Sequence, residues 1–316
     1  MKNQSPRIAV SACLLGEEVR YDGSGKLDPY LVHTLGRWLS FIPVCPECEA
    51  GLSVPREPVN LWDDPSAPRA IGLETGIDYS HGWRDFALKR LNELAAEEPW
   101  GMVLKSRSPS CGIRVDVHTG CGARKRAGMG IFAAAAKERL PLIPVESEAG
   151  LYNPSRRENF IVRLFAFKRL RDLLEDEPTR SNLTLFHNRE RLLMMAHSPE
   201  LARSAGRVVA DPTIRDVKLR FSRYSELYLK CLGMRATRAK NLRAIASGAA
   251  QLREGLRGGE RAELAGAMER YRLGELPRLA VLTLLYHWAR REKHHELLSQ
   301  SYLCPHPVES RLLSLG

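Results

Sequence analysis

The sequence predicts an α/β amino-terminal domain with a mainly parallel, Rossmann-like sheet, followed by an all-α carboxy-terminal domain. Short apolar runs alternate with helix-like stretches as far as residue 147, and from residue 153 onward apolar residues recur almost only at helical spacing. The charge divides at the same place. Residues 1–156 hold nineteen Lys and Arg against nineteen Asp and Glu, leaving 29 basic and 18 acidic residues to 157–316, so the whole net charge of +11 lies in the second half. A neutral half followed by a strongly basic one reads as a reaction module joined to a polyanion-binding module, with nucleic acid as the natural polyanion.

Taken in order, "RIAVSACLL" (7–15) reads as a strand, "PYLVHTLGRWLSF" (29–41) as a helix and "FIPVCPE" (41–47) as a strand. An amphipathic helix follows over 80–98, with Phe86, Leu91 and Leu94 on its apolar side, then a strand running into a loop in "WGMVLKSRSPSCG" (100–112). A glycine-opened helix, "GMGIFAAAAKERL" (128–140), and a last strand, "PLIPVES" (141–147), complete the alternation. Beyond it, Asn153, Pro154 and Ser155 offer a helix start, and Phe160, Leu164, Phe167, Leu170 and Leu174 form a stripe. Five further helical segments are expected across 183–302, separated by Gly, Pro and Ser breaks. The domains so predicted are 1–155, a connecting helix and linker over 156–180, and a basic helical domain over 181–316. No run of 18 apolar residues is present, and "MKNQSPRIAVSACLLG" lacks the long apolar stretch and small-residue cleavage site of a secretory signal. The expectation is a soluble cytoplasmic protein with no membrane partner.

Seven cysteines in 316 residues are too few for a disulfide scaffold and are expected as free thiols or metal ligands. Cys13 follows the first predicted strand, Cys45 the second and Cys111 the third, and the carboxyl ends of parallel strands gather on one ligand-binding edge. Spacing leaves several readings open. Cys45, Cys48, Cys111 and Cys121 offer four ligands for structural zinc, although the second pair is ten apart. Cys45 and Cys48 form a Cys-x-x-Cys unit of redox type, weakened because Pro46 and "EAGLSVPR" (49–56) read as a loop rather than a helix start. Cys13, Cys45 and Cys111 offer three thiolates to an iron–sulfur cluster with one open iron. Unligated core thiols are the remaining alternative.

Three stretches add a resemblance. "SACLLGEEVRYDG" (11–23), "VCPECEAGLSVPR" (44–56) and "LKSRSPSCG" (104–112) resemble, in order, the three motifs of the thiouracil desulfidase family. The second half, with "LFHNRERLLMMAHSP" (185–199), "ATR" (236–238) and "SYLCPHP" (301–307), resembles a helical domain of long-uncharacterised function often fused to it. The resemblance implies a 4Fe-4S cluster held by Cys13, Cys45 and Cys111, with Cys48 a bystander. It further implies Glu47 as acid–base, Ser108 beside the substrate, and Asp22 as a substrate-contacting or loop-bracing residue. For the two-domain arrangement it implies removal of sulfur from 4-thiouridine in tRNA by non-redox hydrolysis, the helical domain holding the tRNA. Arg235, Arg238, Lys240 and Arg243 are the phosphate-contacting candidates by their density, while His187 and His197 read as core residues among Leu and Met. The alternatives are a desulfidase of free thiolated nucleobases and a non-enzymatic metal-containing RNA-binding protein.

Overall fold

A computed structural model describes residues 6–120 and 125–314. Cys121, an alternative zinc ligand, lies outside these residues. The chain forms two compact units that divide at Leu164 and Phe165.

In the first unit, β1 (Arg7–Ser11), β2 (Ser40–Val44), the single helical turn α1 (Pro46–Glu49), β3 (Val59–Trp62), β4 (Arg69–Gly72), α2 (Ser80–Ala96), β5 (Gly101–Leu104), β6 (Val115–His118), β7 (Lys125–Gly128), α3 (Ile131–Arg139), β8 (Val145–Ser147) and α4 (Glu148–Leu151) follow one another. One sheet has the order β2-β1-β5-β8 with every pairing parallel, which is the predicted core. Its strands are short and almost wholly apolar, as a sheet buried on both faces requires: Ile8, Val10, Met102 and Val103 have no exposed surface. The helix expected over 29–41 is a π turn followed by a 3₁₀ turn, over Tyr30–Arg37.

A second sheet, order β4-β3-β6-β7, is absent from the sequence expectations. It mixes antiparallel β3–β4 and β6–β7 pairs with a parallel β3–β6 pair. Its four-residue strands, such as "VDVH" and "KRAG", are too short and too polar for a periodic signal. Leu61, Ala70, Val115 and Val117 nevertheless bury against Trp83 of α2 and Ile131 of α3.

The second unit is helical. Helix α5 (Pro154–Glu175) runs through the division between the units, and α6 (Arg180–His197), α7 (Pro199–Ala210), α8 (Val217–Gly233), α9 (Arg238–Gln251), α10 (Gly258–Leu273), α11 (Arg278–Arg291), α12 (His295–Leu298) and α13 (Pro307–Ser314) follow. Four N-caps, Thr179, Ser198, Asp216 and Thr237, accept backbone N–H bonds and fix where α6 to α9 begin. Helix α6 packs on α7, α8 and α9. Phe186 of α6 and Tyr224 and Tyr228 of α8 share an aromatic cluster, the two tyrosines being fully buried. Among the described residues no helix is long and apolar enough to cross a membrane.

Candidate active site

Three adjacent strands of the parallel sheet, β2, β1 and β5, deliver their carboxyl ends to one edge. Cys13 stands in the 3₁₀ turn Ala12–Leu15 directly after β1, Cys45 directly after β2, and Cys111 in the loop after β5. All three line one cavity of about 410 Å³, together with Glu47, Ser108, Ser110, Arg56 and Lys105. That is the size range of small-ligand pockets, on the order of 300–1,000 Å³. Cys48 and Asp22 are not among its lining residues.

Pro46 at the first helical position presets φ and forgoes an N–H that would lack a partner there, so the stretch expected as a loop turns into α1. The Cys45 N–H donates to Glu49 Oε1 at 2.6 Å. The turn leaves both thiols of Cys-x-x-Cys beside one carbonyl: the Cys45 sulfur lies 3.9 Å and the Cys48 sulfur 3.3 Å from the Val19 oxygen, Cys48 also accepts from Arg56 Nη1 at 3.5 Å, and of the two only Cys45 lines the cavity.

The 105–112 loop is held from both sides. Ser108 Oγ accepts from the Cys111 N–H at 3.1 Å and the Ser110 N–H at 3.3 Å, a local serine turn. The Ile131 and Ala133 N–H groups, which open α3 and have no partner within it, donate to the Pro109 and Ser110 carbonyls. Gly130 makes this possible, since a Cβ there would come within 2.5 Å of the Ser110 carbonyl oxygen.

Glu47 is gripped at both oxygens. Arg56 donates through Nη2 to Oε2 at 2.6 Å and through Nε at 3.1 Å, with both side chains largely buried. Ser110 donates to Oε1 at 2.7 Å, and Ser108 Oγ lies 3.4 Å from the same oxygen. Ser110 is itself buried and 3.7 Å from the Cys111 sulfur, so one hydroxyl touches both the carboxylate and a thiol. Sequence reading did not single out Ser110, although it lies in "SPSCG" beside the cysteine. Arg56, which closes "VCPECEAGLSVPR", is a residue that the sequence offers as an ion-pair partner for Glu47, and the structure forms that pair.

Burial pushes the Cys13 thiol up to about 11 and the Cys111 thiol up to about 12, and raises Cys45 as well. At neutral pH such thiols stay protonated unless a nearby cation offsets the desolvation, which a bound metal does outright. Lys105 is the nearest cation lowering Cys13, and its ammonium is already bound to Glu148 Oε1 at 2.7 Å. Among the described residues no three His, Cys, Asp or Glu side chains stand close enough to hold a single metal ion. The three thiols share the lining of one cavity.

Asp22 sits in an exposed turn. Its Oδ1 accepts from the N–H and hydroxyl of Ser24, and its Oδ2 lies 3.4 Å from Arg20 Nη1, so it braces the loop that carries Arg20 and Tyr21. The tRNA candidates lie in the second unit. Arg235, Arg238 and Arg243 are exposed, and Arg238 lies over the Tyr271 ring. Lys240 differs: its ammonium donates to the His197 carbonyl at 2.8 Å and the Arg235 carbonyl at 3.0 Å, completing the end of α6. His197 is buried with Nδ1 2.8 Å from the Met234 carbonyl, and His187 Nδ1 is 3.3 Å from the Tyr224 hydroxyl.

Residues 8–148 match the family model of the 2-thiouracil desulfurases, and residues 191–307 match a protein family of unknown function, DUF1722. The uncharacterised protein YbbK of Bacillus subtilis (strain 168) is 30% identical over 136 residues, 42% of this chain and 89% of YbbK. The uncharacterised protein YbgA of Escherichia coli (strain K12) is 28% identical over 132 residues, 42% of this chain and 78% of YbgA. A solved structure of the 4Fe-4S-dependent thiouracil desulfidase TudS is 31% identical, covering 46% of this chain and 93% of its own, with a TM-score of 0.39. Through residues 8–148, and through YbbK across most of its length, the chain belongs to the 2-thiouracil desulfurase family, with a DUF1722 segment following in the same polypeptide.

Proposed function

We propose that the chain removes sulfur from thiolated pyrimidines by hydrolysis, acting on 4-thiouridine in tRNA, with a 4Fe-4S cluster held by Cys13, Cys45 and Cys111. One observation carries this reading: three thiols from the ends of three adjacent strands line the same cavity as a carboxylate gripped at both oxygens. The donor set suits the cofactor named for the relative TudS, since three soft thiols on one cavity match iron–sulfur chemistry better than a hard cation. When bound, such a cluster supplies a soft iron with an open position for sulfur.

The chain's own groups do the rest. In the net reaction water adds to the thiocarbonyl carbon, the carbon–sulfur bond breaks and sulfur leaves as hydrogen sulfide, so no oxidant or reductant is consumed. Glu47 takes the proton from the attacking water and returns it to the leaving sulfur. Oε2 is charge-paired with Arg56, so Oε1, whose partners are rotatable hydroxyls, is the oxygen that carries the proton. Ser108 and Ser110 orient that oxygen, and Ser108 offers its hydroxyl to the reacting base. Arg235, Arg238 and Arg243 contact RNA phosphates while the base, swung out of its stack, enters the cavity.

The test is anaerobic incubation of reconstituted protein with 4-thiouridine-containing tRNA and, separately, with free 2-thiouracil, measuring thione absorbance and released sulfide. Turnover of tRNA is the expected result. Turnover of free base alone transfers the reading to nucleobases, and tight tRNA binding without sulfide release leaves an RNA-binding protein.

A further inference from the structure

Cys48 is left over from the chemistry of the cavity. It is not among the lining residues, yet it stands three residues after Cys45, which is. In the sequence, Pro46 and the residues after it read as a loop, which speaks against a redox pair. In the structure Pro46 opens α1, with Cys45 as its N-cap, and that turn has the geometry a disulfide needs.

The Glu49 N–H donates to the Cys45 carbonyl at 2.9 Å, closing one helical turn. Residues three apart in such a turn have Cα atoms about 5 Å apart, inside the roughly 4.4–6.8 Å over which disulfides form. Both sulfurs lie beside the same acceptor, Cys45 at 3.9 Å and Cys48 at 3.3 Å from the Val19 oxygen. The Cys45 thiol, held up first by burial, is lowered by the Cys48 N–H and raised by the Cys48 side chain, so residue 48 acts on this sulfur directly. Both cysteines are half-buried, within reach of a small oxidant, whereas Cys13 and Cys111 are buried.

We propose that Cys45 and Cys48 form an oxidation site: hydrogen peroxide joins them in a disulfide whenever Cys45 holds no iron, and the bond withdraws Cys45 from the cavity. One sulfur attacks the peroxide, the oxygen–oxygen bond breaks and water leaves, giving a sulfenic acid. The second sulfur then attacks the first and displaces its hydroxyl as water. The two sulfurs together give up two electrons and two protons, and the peroxide is reduced to two waters. Withdrawal follows from placement, since Cys48 lies off the cavity and the Cys45 sulfur has to turn to it. The disulfide is independent of the desulfidase reading, whereas its effect on iron rests on that reading.

Treating the metal-free full chain anaerobically with an equimolar amount of hydrogen peroxide tests the site. The chain should lose two of its seven thiols, and peptide mapping after alkylation should find Cys45 linked to Cys48. The linked chain should then take up iron and sulfide no better than Cys45→Ala, and dithiothreitol should restore uptake. Before oxidation Cys48→Ser should take up iron as the wild type does, and after it no link should form. Thiols left intact by peroxide, thiol loss without a Cys45–Cys48 link, or a link from Cys45 to Cys13 or Cys111 overturns the oxidation site. A linked chain that still takes up iron overturns the withdrawal of Cys45. If the reduced wild type takes up no iron, the reading of Cys45 as a cluster ligand falls, and the mapped disulfide still decides the oxidation site.

Discussion

Glu47 shows how much chemistry depends on individual partners. Its carboxylate is held by Arg56 at one oxygen and Ser110 at the other, so its direction is fixed before any substrate arrives. Replacing Ser110 by Ala leaves Oε1 with only the distant Ser108 hydroxyl, 3.4 Å away. The expected result is a kcat lower by about tenfold to a hundredfold with iron content retained, on the scale of one positioned hydrogen bond; iron assay and initial rates check it. Among the thiols, Cys13→Ala, Cys45→Ala and Cys111→Ala should each lose the iron and its visible absorbance, whereas Cys48→Ala should keep both. That contrast rests on the cavity lining, which includes Cys45 and not Cys48, although both thiols lie beside the Val19 carbonyl. Cys45 was legible in the sequence because it follows a clear strand, and Glu47 through the resemblance of "VCPECEAGLSVPR" to a family motif. Ser110 was not, because a serine beside a proline reads first as turn chemistry.

At the level of elements, the parallel sheet was readable from its apolar runs, while the second sheet was not, because an alternation such as that of "VDVH", with Val115 and Val117 buried, spans only four residues. The helical unit holds a buried charge group that sequence periodicity also hides. Arg169 of α5 donates to Glu190 of α6 at 2.9 and 3.1 Å and to Glu309 of α13 at 3.0 Å, and the Tyr228 hydroxyl donates to Glu190 at 2.7 Å. One cation faces two carboxylates, and burial pushes Glu309 up to about 7 in spite of Arg169. The folded state therefore holds this proton more tightly than the unfolded chain. The stabilisation linked to it is complete below about pH 4.5 and is lost as pH rises through about 7, up to roughly 3 kcal/mol. Denaturant unfolding at pH 5 and pH 8 should show that loss in the wild type and not in Glu309→Gln. The difference between the two proteins isolates it from other titrating groups.

Over the whole molecule, the charge division seen in the sequence coincides with a change of architecture: the basic half is the helical one. If its arginines meet phosphates, tRNA affinity should fall steeply with salt. Arg235→Ala and Arg243→Ala should each reduce the log–log slope by about 1. Lys240→Ala should lower stability and leave the slope in place, because its ammonium is bound to backbone carbonyls. Sulfide release by wild type and Glu47→Gln, at equal iron content, decides whether Glu47 performs hydrolytic sulfur removal beside the three thiols. The wild type should release one sulfide per thione lost, and the variant should be slower by at least about a hundredfold, the usual weight of general acid–base catalysis. Near-equal rates in the two proteins, or thione loss without sulfide, would contradict it.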